Sequence, residues 1–318
     1  MKSNNINLKS QNMFVRFLRN VRKDKALLML LLPGVLYLIL NNYIPMFGVV
    51  IAFKHIDYSK GILGSDWVGF DNFKFLFSTK EVWIITRNTV LYNALFILLH
   101  LVIPVGFAIA LNEMRVRLAV RFYQSVMFLP YFLSMIVVSY LGYSLLNSEY
   151  GFINKTLLEP LGFPAVSWYS EVKYWPYILP LVNIWKSVGY YSIVYLAAII
   201  GIDNEYYEAA HIDGASKWQQ ITRITIPLIR PVLIILMLLQ VGKIFNADFG
   251  LFYQVPLDSG ALYSATQVID TYVYRALLTL GDIGMSSAAG LYQASVGFVL
   301  VLTTNYVVRK IDKENALF

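Results

Sequence analysis

The chain has 318 residues, of which 58% are hydrophobic and only 14% charged. A soluble domain carries roughly a quarter charged residues, so this composition belongs to an integral membrane protein. The formal charge of +7 does not require nucleic acid, because Lys and Arg gather on the cytoplasmic side of membrane proteins. Cysteine is absent, which excludes disulfides, thiolate metal sites and a Cys nucleophile.

In chain order, residues 1–25 form a basic segment. Phe14, Phe17, Leu18 and Val21 fall at i, i+3, i+4 and i+7, with Arg16, Arg19 and Lys23 mostly elsewhere on the wheel. This predicts an amphipathic helix on the inner leaflet, the alternative being a disordered basic tail. The first apolar run is too long for a cleaved signal, and no small-residue cleavage site follows it. A spanning helix needs roughly 20 apolar residues. Six runs qualify: 26–46, 86–111, 123–146, 178–200, 228–248 and 288–308. None shows the strict alternation of a barrel strand.

Orientation follows from the basic residues. Fifteen lie in the N-terminal segment, the Arg115–Arg121 loop, the loop holding Lys217 and Arg223, and the tail 309–318; seven lie in the three opposite loops. Both termini are therefore predicted to be cytoplasmic. The first outer loop carries Trp67-Val68-Gly69-Phe70-Asp71-Asn72-Phe73, a Gly turn with aromatic anchors. The second carries Trp168 and Trp175.

Between the fourth and fifth runs lies a polar, helix-prone segment, 203–227. Asp203 or Asn204 can cap its start, and Glu205, Glu208, Ala209 and Ala210 favour helix. Gly214 can take a positive φ and end it. Pro227 marks the return into the bilayer. Glu208, Ala209, Ala210, Gly214, Ile224 and Pro227 reproduce the EAA spacing of ABC-importer permeases, with Ile226 where Leu is usual. Over about residues 20–318 the chain resembles a type I ABC-importer permease of the carbohydrate class. It is most similar to the permeases of alginate and lipoprotein-associated sugar systems. The Gly69–Phe73 stretch is similar to one found after the first span of many sugar permeases.

The resemblance implies an all-α membrane protein with the MetI-like permease fold, its transmembrane domain covering 26–308. It implies a second homologous permease, two ABC ATPase subunits that carry ATP and Mg, and an extracytoplasmic solute-binding protein. The expected action is alternating access for an oligosaccharide or polysaccharide, neutral or acidic, in a bacterial cytoplasmic membrane. The coupling residues are Glu208, Ala209, Ala210, Gly214, Ile224 and Pro227, which would dock in an ATPase cleft. Two other readings stay open: an importer permease for another solute, or an ATP-independent carrier or membrane enzyme.

Chemistry on this chain itself is not expected. No phosphate-binding loop, metal-ligand spacing or nucleophile elbow occurs. His211 reads as a surface residue, and His100 as hydrogen-bonded within the bundle. Polar residues inside spans are functional candidates. Asn183, Lys186, Ser187, Tyr190 and Tyr191 share one side of the fourth run, and Gln240, Lys243, Asn246 and Ala247 a stripe of the fifth. At 1.5 Å per residue the two lysines come to similar depths, roughly 12 and 8 Å below the outer surface. Snorkelling toward headgroups is the competing explanation for both. Asn88 and Tyr92 of the second run and Tyr140 and Tyr143 of the third complete the candidates for a solute path.

Overall fold

The computed structural model describes residues 24–74, 79–279 and 281–311. The basic segment 1–23, with its predicted amphipathic helix, and the tail from 312 onward lie outside them. The principal helices are α1 (Lys25–Leu38), α2 (Lys80–Glu113), α3 (Arg117–Phe128), α4 (Met135–Leu146) and α5 (Trp175–Ile200). They continue with α6 (Asn204–Ile212), α7 (Ile226–Val241), α8 (Phe249–Gln254), α9 (Ile269–Leu278) and α10 (Ile283–Ile311). Among the described residues, four helical paths are long and apolar enough to cross a membrane unaided: Lys25–Phe53, Lys80–Glu113, Lys217–Val241 and Ile283–Lys310. Counting each of two bent pairs as one span gives up to six.

The third run is not one straight span. Arg117–Phe132 and Met135–Leu146 meet at 100°. Leu133 and Ser134 are extended, and the Ser134 hydroxyl caps α4 by accepting from the Val137 amide. Pro130 sits at the start of the preceding 3-10 turn, where a residue without an N–H is tolerated. Apolar content marks the run, but hydropathy does not register the Pro130 and Ser134 punctuation.

The fifth run is displaced rather than broken. Helix begins at Lys217, ten residues before Pro227, and passes through a π-turn at Ile221–Thr225. Proline has no N–H and its ring crowds the carbonyl four residues back. The wider π-turn, in which the Ile226 amide bonds to the Ile221 carbonyl, accommodates that inside a continuous path. The run also ends earlier than expected: α7 stops at Val241, and 242–246 form successive turns.

Three apolar clusters hold the bundle. One joins Tyr92 and Phe96 of α2 to Trp175 and Leu179 of α5 and to Leu251 and Phe252 of α8. A second joins Ala108 and Leu111 of α2 to Tyr195 and Ile199 of α5 and Ile229 of α7. The third gathers Ile85, Phe245, Ile269 and Tyr272. Helix α2 thus runs through all three. Gly189 lets α5 touch the end of α3, since a Cβ there would collide with the Met127 carbonyl. After the first helical path, β1 (Lys54–His55) and β2 (Asp66–Trp67) pair antiparallel and close a small hairpin.

Candidate functional site: an exposed helix and an intramembrane cavity

The polar segment folds into a capped peg. Asp203 caps α6, its Oδ1 accepting from the Glu205 amide at 3.0 Å, which settles the choice between Asp203 and Asn204. At the other end the Ala215 amide reaches back to the Ala210 carbonyl at 2.9 Å, and Gly214 has φ +77°. This six-to-one closure needs a left-handed residue, which glycine supplies at no steric cost. Ser216 and Gln219 then form a capping box that starts the next helix at once.

Two links make the peg stiff. Tyr207 and Thr225 share a side-chain hydrogen bond of 2.9 Å, tying α6 to the π-turn. The Lys217 ammonium stands 3.0 Å from the Glu113 carboxylate at the end of α2. Glu208 and Ala209 are exposed, Ala210 is half-buried, and Ile224 lies half-buried in the π-turn. Ile212 and Trp218 are large apolar side chains left open, at 86% and 72%. His211 is also exposed.

Within the bundle a cavity of about 600 Å³ lies between α2, α5 and the end of α7. Its lining includes Asn93, His100, Asn183, Tyr190, Tyr191, Gln240, Lys243, Asn246 and Asp248. Five residues expected on a solute path therefore meet there: Asn183, Tyr190, Tyr191, Lys243 and Asn246. Lys243 and Asn246 arrive by a different route from the one anticipated, standing on the turns beyond α7 rather than on a helical stripe.

His100 connects the three walls. Its Nδ1 is 2.9 Å from Gln240 Oε1 of α7, and its Nε2 is 2.7 Å from Ser187 Oγ of α5. Its ring stacks on Tyr191 with centroids 4.5 Å apart.

Lys186 has another task. Its ammonium donates to the carbonyls of Leu133, Tyr131 and Pro130 at 2.5, 3.0 and 3.4 Å, and it does not line the cavity. The Tyr131 and Leu133 carbonyls lie where α3 and α4 break, while the Pro130 carbonyl also accepts from the Leu133 amide, so Lys186 completes the bonding of irregular backbone. Asn88 is likewise engaged, donating to the carbonyls of Gln267 and Ser264 at 2.9 and 3.2 Å, while Tyr92 is packed in the first cluster. Both border a separate cavity of about 450 Å³ with Arg87 and Pro176. Tyr143 pairs with Tyr150 through hydroxyls 3.2 Å apart, and Tyr140 is exposed on α4.

Sequence reading passes over Asn93, Asp248, Asp270 and Gln293. Asn93 donates to the Ile244 and Asn246 carbonyls at 2.8 and 3.3 Å. Gln293 donates to the Phe245 carbonyl at 2.5 Å, and the Asp270 carboxylate accepts from the Ala247 amide at 2.7 Å. Gln293 also donates to Asp270 at 3.1 Å. Burial pushes the Asp270 carboxyl above its ordinary value, and the Ala247 and Gln293 donors oppose that rise. The only sequence signal is that Asn93 and Gln293 lie in apolar helices.

Whole and broken apolar helices beside a cavity with several polar side chains, with a capped polar helix exposed at one end, make up a multi-pass membrane permease. Residues 102–313 match the family described as binding-protein-dependent transport system inner membrane component, and the chain belongs to that family. It is 35% identical to Protein LplB of Bacillus subtilis over 301 residues, covering 94% of this chain and 93% of that one. It is 34% identical to the polygalacturonan/rhamnogalacturonan transport system permease protein YteP of the same organism, with 94% and 92% covered. Among solved structures, it aligns with a chain of a bacterial ABC transporter involved in the import of the acidic polysaccharide alginate. The TM-score is 0.86 at 32% identity, over 93% of this chain and 99% of that one. A structure of the alginate transporter in complex with an alginate pentasaccharide-bound periplasmic protein aligns with TM-score 0.85, again at 32% identity.

Proposed function

We propose that the chain is one transmembrane subunit of an ATP-driven importer, moving an oligosaccharide delivered by an extracytoplasmic binding protein. The observation that carries this reading is the near full-length likeness to a chain of the alginate importer, joined to a cavity between α2, α5 and the end of α7 whose lining includes tyrosines, amides and a lysine. Hydroxyls, amides and tyrosine rings suit a sugar, whose hydroxyls seek hydrogen bonds and whose faces pack on aromatic rings.

In this reading α6 is the coupling helix. It docks in a cleft of a separate ATPase, with Glu208 held by a donor there and Ala209 and Ala210 allowing close approach. Closure of the ATPase pair pushes on α6. Gly214, the capping box and the Tyr207–Thr225 bond pass that push into the Lys217–Val241 helix, whose far end forms the cavity wall. A second permease completes the pathway, ATP and Mg reside on the partner subunits, and the complex sits in the bacterial cytoplasmic membrane. Solute crosses by alternating access, and this chain carries no covalent chemistry of its own.

The test is ATPase activity of the co-expressed complex in lipid with binding protein and a panel of neutral and acidic oligosaccharides. Stimulation by a saccharide, lost in Glu208→Lys, is expected. Stimulation only by a non-sugar solute overturns the saccharide assignment, and full stimulation in Glu208→Lys overturns the coupling role of α6.

A further inference from the structure

The backbone from Ile244 to Ala247 is not helical, yet it lies beside the cavity at the end of a spanning helix. Irregular backbone at such a place requires partners from the protein. Here each successive residue has one. The Ile244 and Asn246 carbonyls take Asn93, the Phe245 carbonyl takes Gln293, and the Ala247 amide takes Asp270. Three helices thus clamp one short loop. Asn246 within this loop and Lys243 and Asp248 immediately on either side of it are exposed and line the cavity.

A clamped backbone presenting free polar side chains is a preorganised recognition element, because little further ordering is needed on binding. Its two charges are available. Neither Lys243 nor Asp248 has an ion-pair partner among the described residues. Asp248 uses Oδ1 to cap α8, accepting from the Leu251 amide at 3.1 Å, which fixes the carboxylate and leaves Oδ2 without a hydrogen-bond partner in that cap. Of the other two charges nearby, Lys186 donates to backbone carbonyls while also attracting the Asp248 carboxylate from beyond ion-pair distance, and Asp270 is held in the clamp.

We infer that Lys243 and Asp248 form a charge filter for the passing saccharide. Lys243 draws in an acidic residue, and Asp248 accepts hydroxyls and repels a carboxylate. The pair holds the cavity near neutral and sets how strongly uronates are favoured over neutral sugars. This rests on the proposed saccharide import.

The experiment uses the complete transporter in proteoliposomes with saturating binding protein. ATP-driven uptake of trigalacturonate is compared with that of its carboxyl-reduced neutral counterpart, which differs only at the carboxylates. Asp248→Asn keeps a good helix cap and Lys243→Gln sits on an exposed turn, so both variants should fold. The charged-to-neutral uptake ratio should rise about tenfold in Asp248→Asn and fall about tenfold in Lys243→Gln, the effect of a single charge-assisted hydrogen bond to the sugar. A ratio unchanged within about twofold in both variants, with the wild type active, overturns the filter alone. Uptake of neither sugar by the wild type overturns the saccharide reading beneath it.

Discussion

Asn72 shows how one side chain can explain a sequence pattern. Its amide donates to the Ala52 and Lys54 carbonyls at 3.0 and 2.9 Å, where the first helical path gives way to the β1 strand. The same amide rests against the start of α10, since a Cβ on Gly284 would stand 2.7 Å from Asn72 Nδ2. Phe70 and Phe73 pack on Phe53 with ring centroids 5.4 Å away. The Gly69–Phe73 stretch therefore staples the first span to the last. Asn72→Ala should cost about 1–3 kcal/mol by leaving two carbonyls short of a donor, read as a lower melting temperature of the purified complex. Glycines offer a matched pair of the same kind. Gly189→Ala drives a methyl into the Met127 backbone, whereas Gly106→Ala meets nothing within 4 Å. The first should destabilise by about 1–3 kcal/mol, and the second should be neutral or slightly stabilising within α2. Equal melting temperatures for the two would contradict the close approach of α3 to α5.

Among the elements, the break between α3 and α4 and the end of α7 are where sequence and structure part company. Apolar length finds all six runs, and cap and glycine chemistry locate α6 and its end at Gly214. Length carries no information about direction, however, so a run bent by 100° and a run that stops early read like ordinary spans. The consequence for the site is specific. Lys186 and Lys243 fall at matching depth on a straight-helix ruler, yet one braces the break and the other presents its charge to the cavity. Asn93, Asp270 and Gln293 cannot be paired from sequence because they bond backbone atoms of a loop that hydropathy assigns to helix. Lys186→Met should therefore act on stability. It removes the donor shared by the Tyr131 and Leu133 carbonyls, the Pro130 carbonyl keeping the Leu133 amide, and should lower thermal stability by about 2–4 kcal/mol. Lys186→Arg, which keeps the charge and the donors, should recover part of it. Uptake per folded complex should keep its preference between charged and neutral sugars in both variants. A changed preference would restore Lys186 to the solute path.

For the whole molecule, the peg and the hairpin are the markers by which orientation can be tested. Basic residues crowd the side bearing α6, and the hairpin with the loop around Asn154 lies among the three segments poor in them. Asn154 is fully buried, donating to the Val166 carbonyl at 2.9 Å and accepting from Trp168 Nε1 at 3.0 Å. That loop is thus held by its own internal hydrogen bonds. Import with an external donor and an internal ATPase demands opposite sides for these two faces. The natural chain contains no cysteine, so single cysteines report the side without background. Leu63, Leu161 and Ile212 are 90%, 70% and 86% exposed, and each can be replaced without disturbing a core. In intact cells a membrane-impermeant maleimide should label Leu63→Cys and Leu161→Cys, and should label Ile212→Cys only after the membrane is opened. Labelling of Ile212→Cys from outside would invert the topology and place α6 beyond the reach of any cytoplasmic ATPase. Labelling of all three only after permeabilisation would break the charge-based assignment of the outer loops while leaving α6 where coupling requires it.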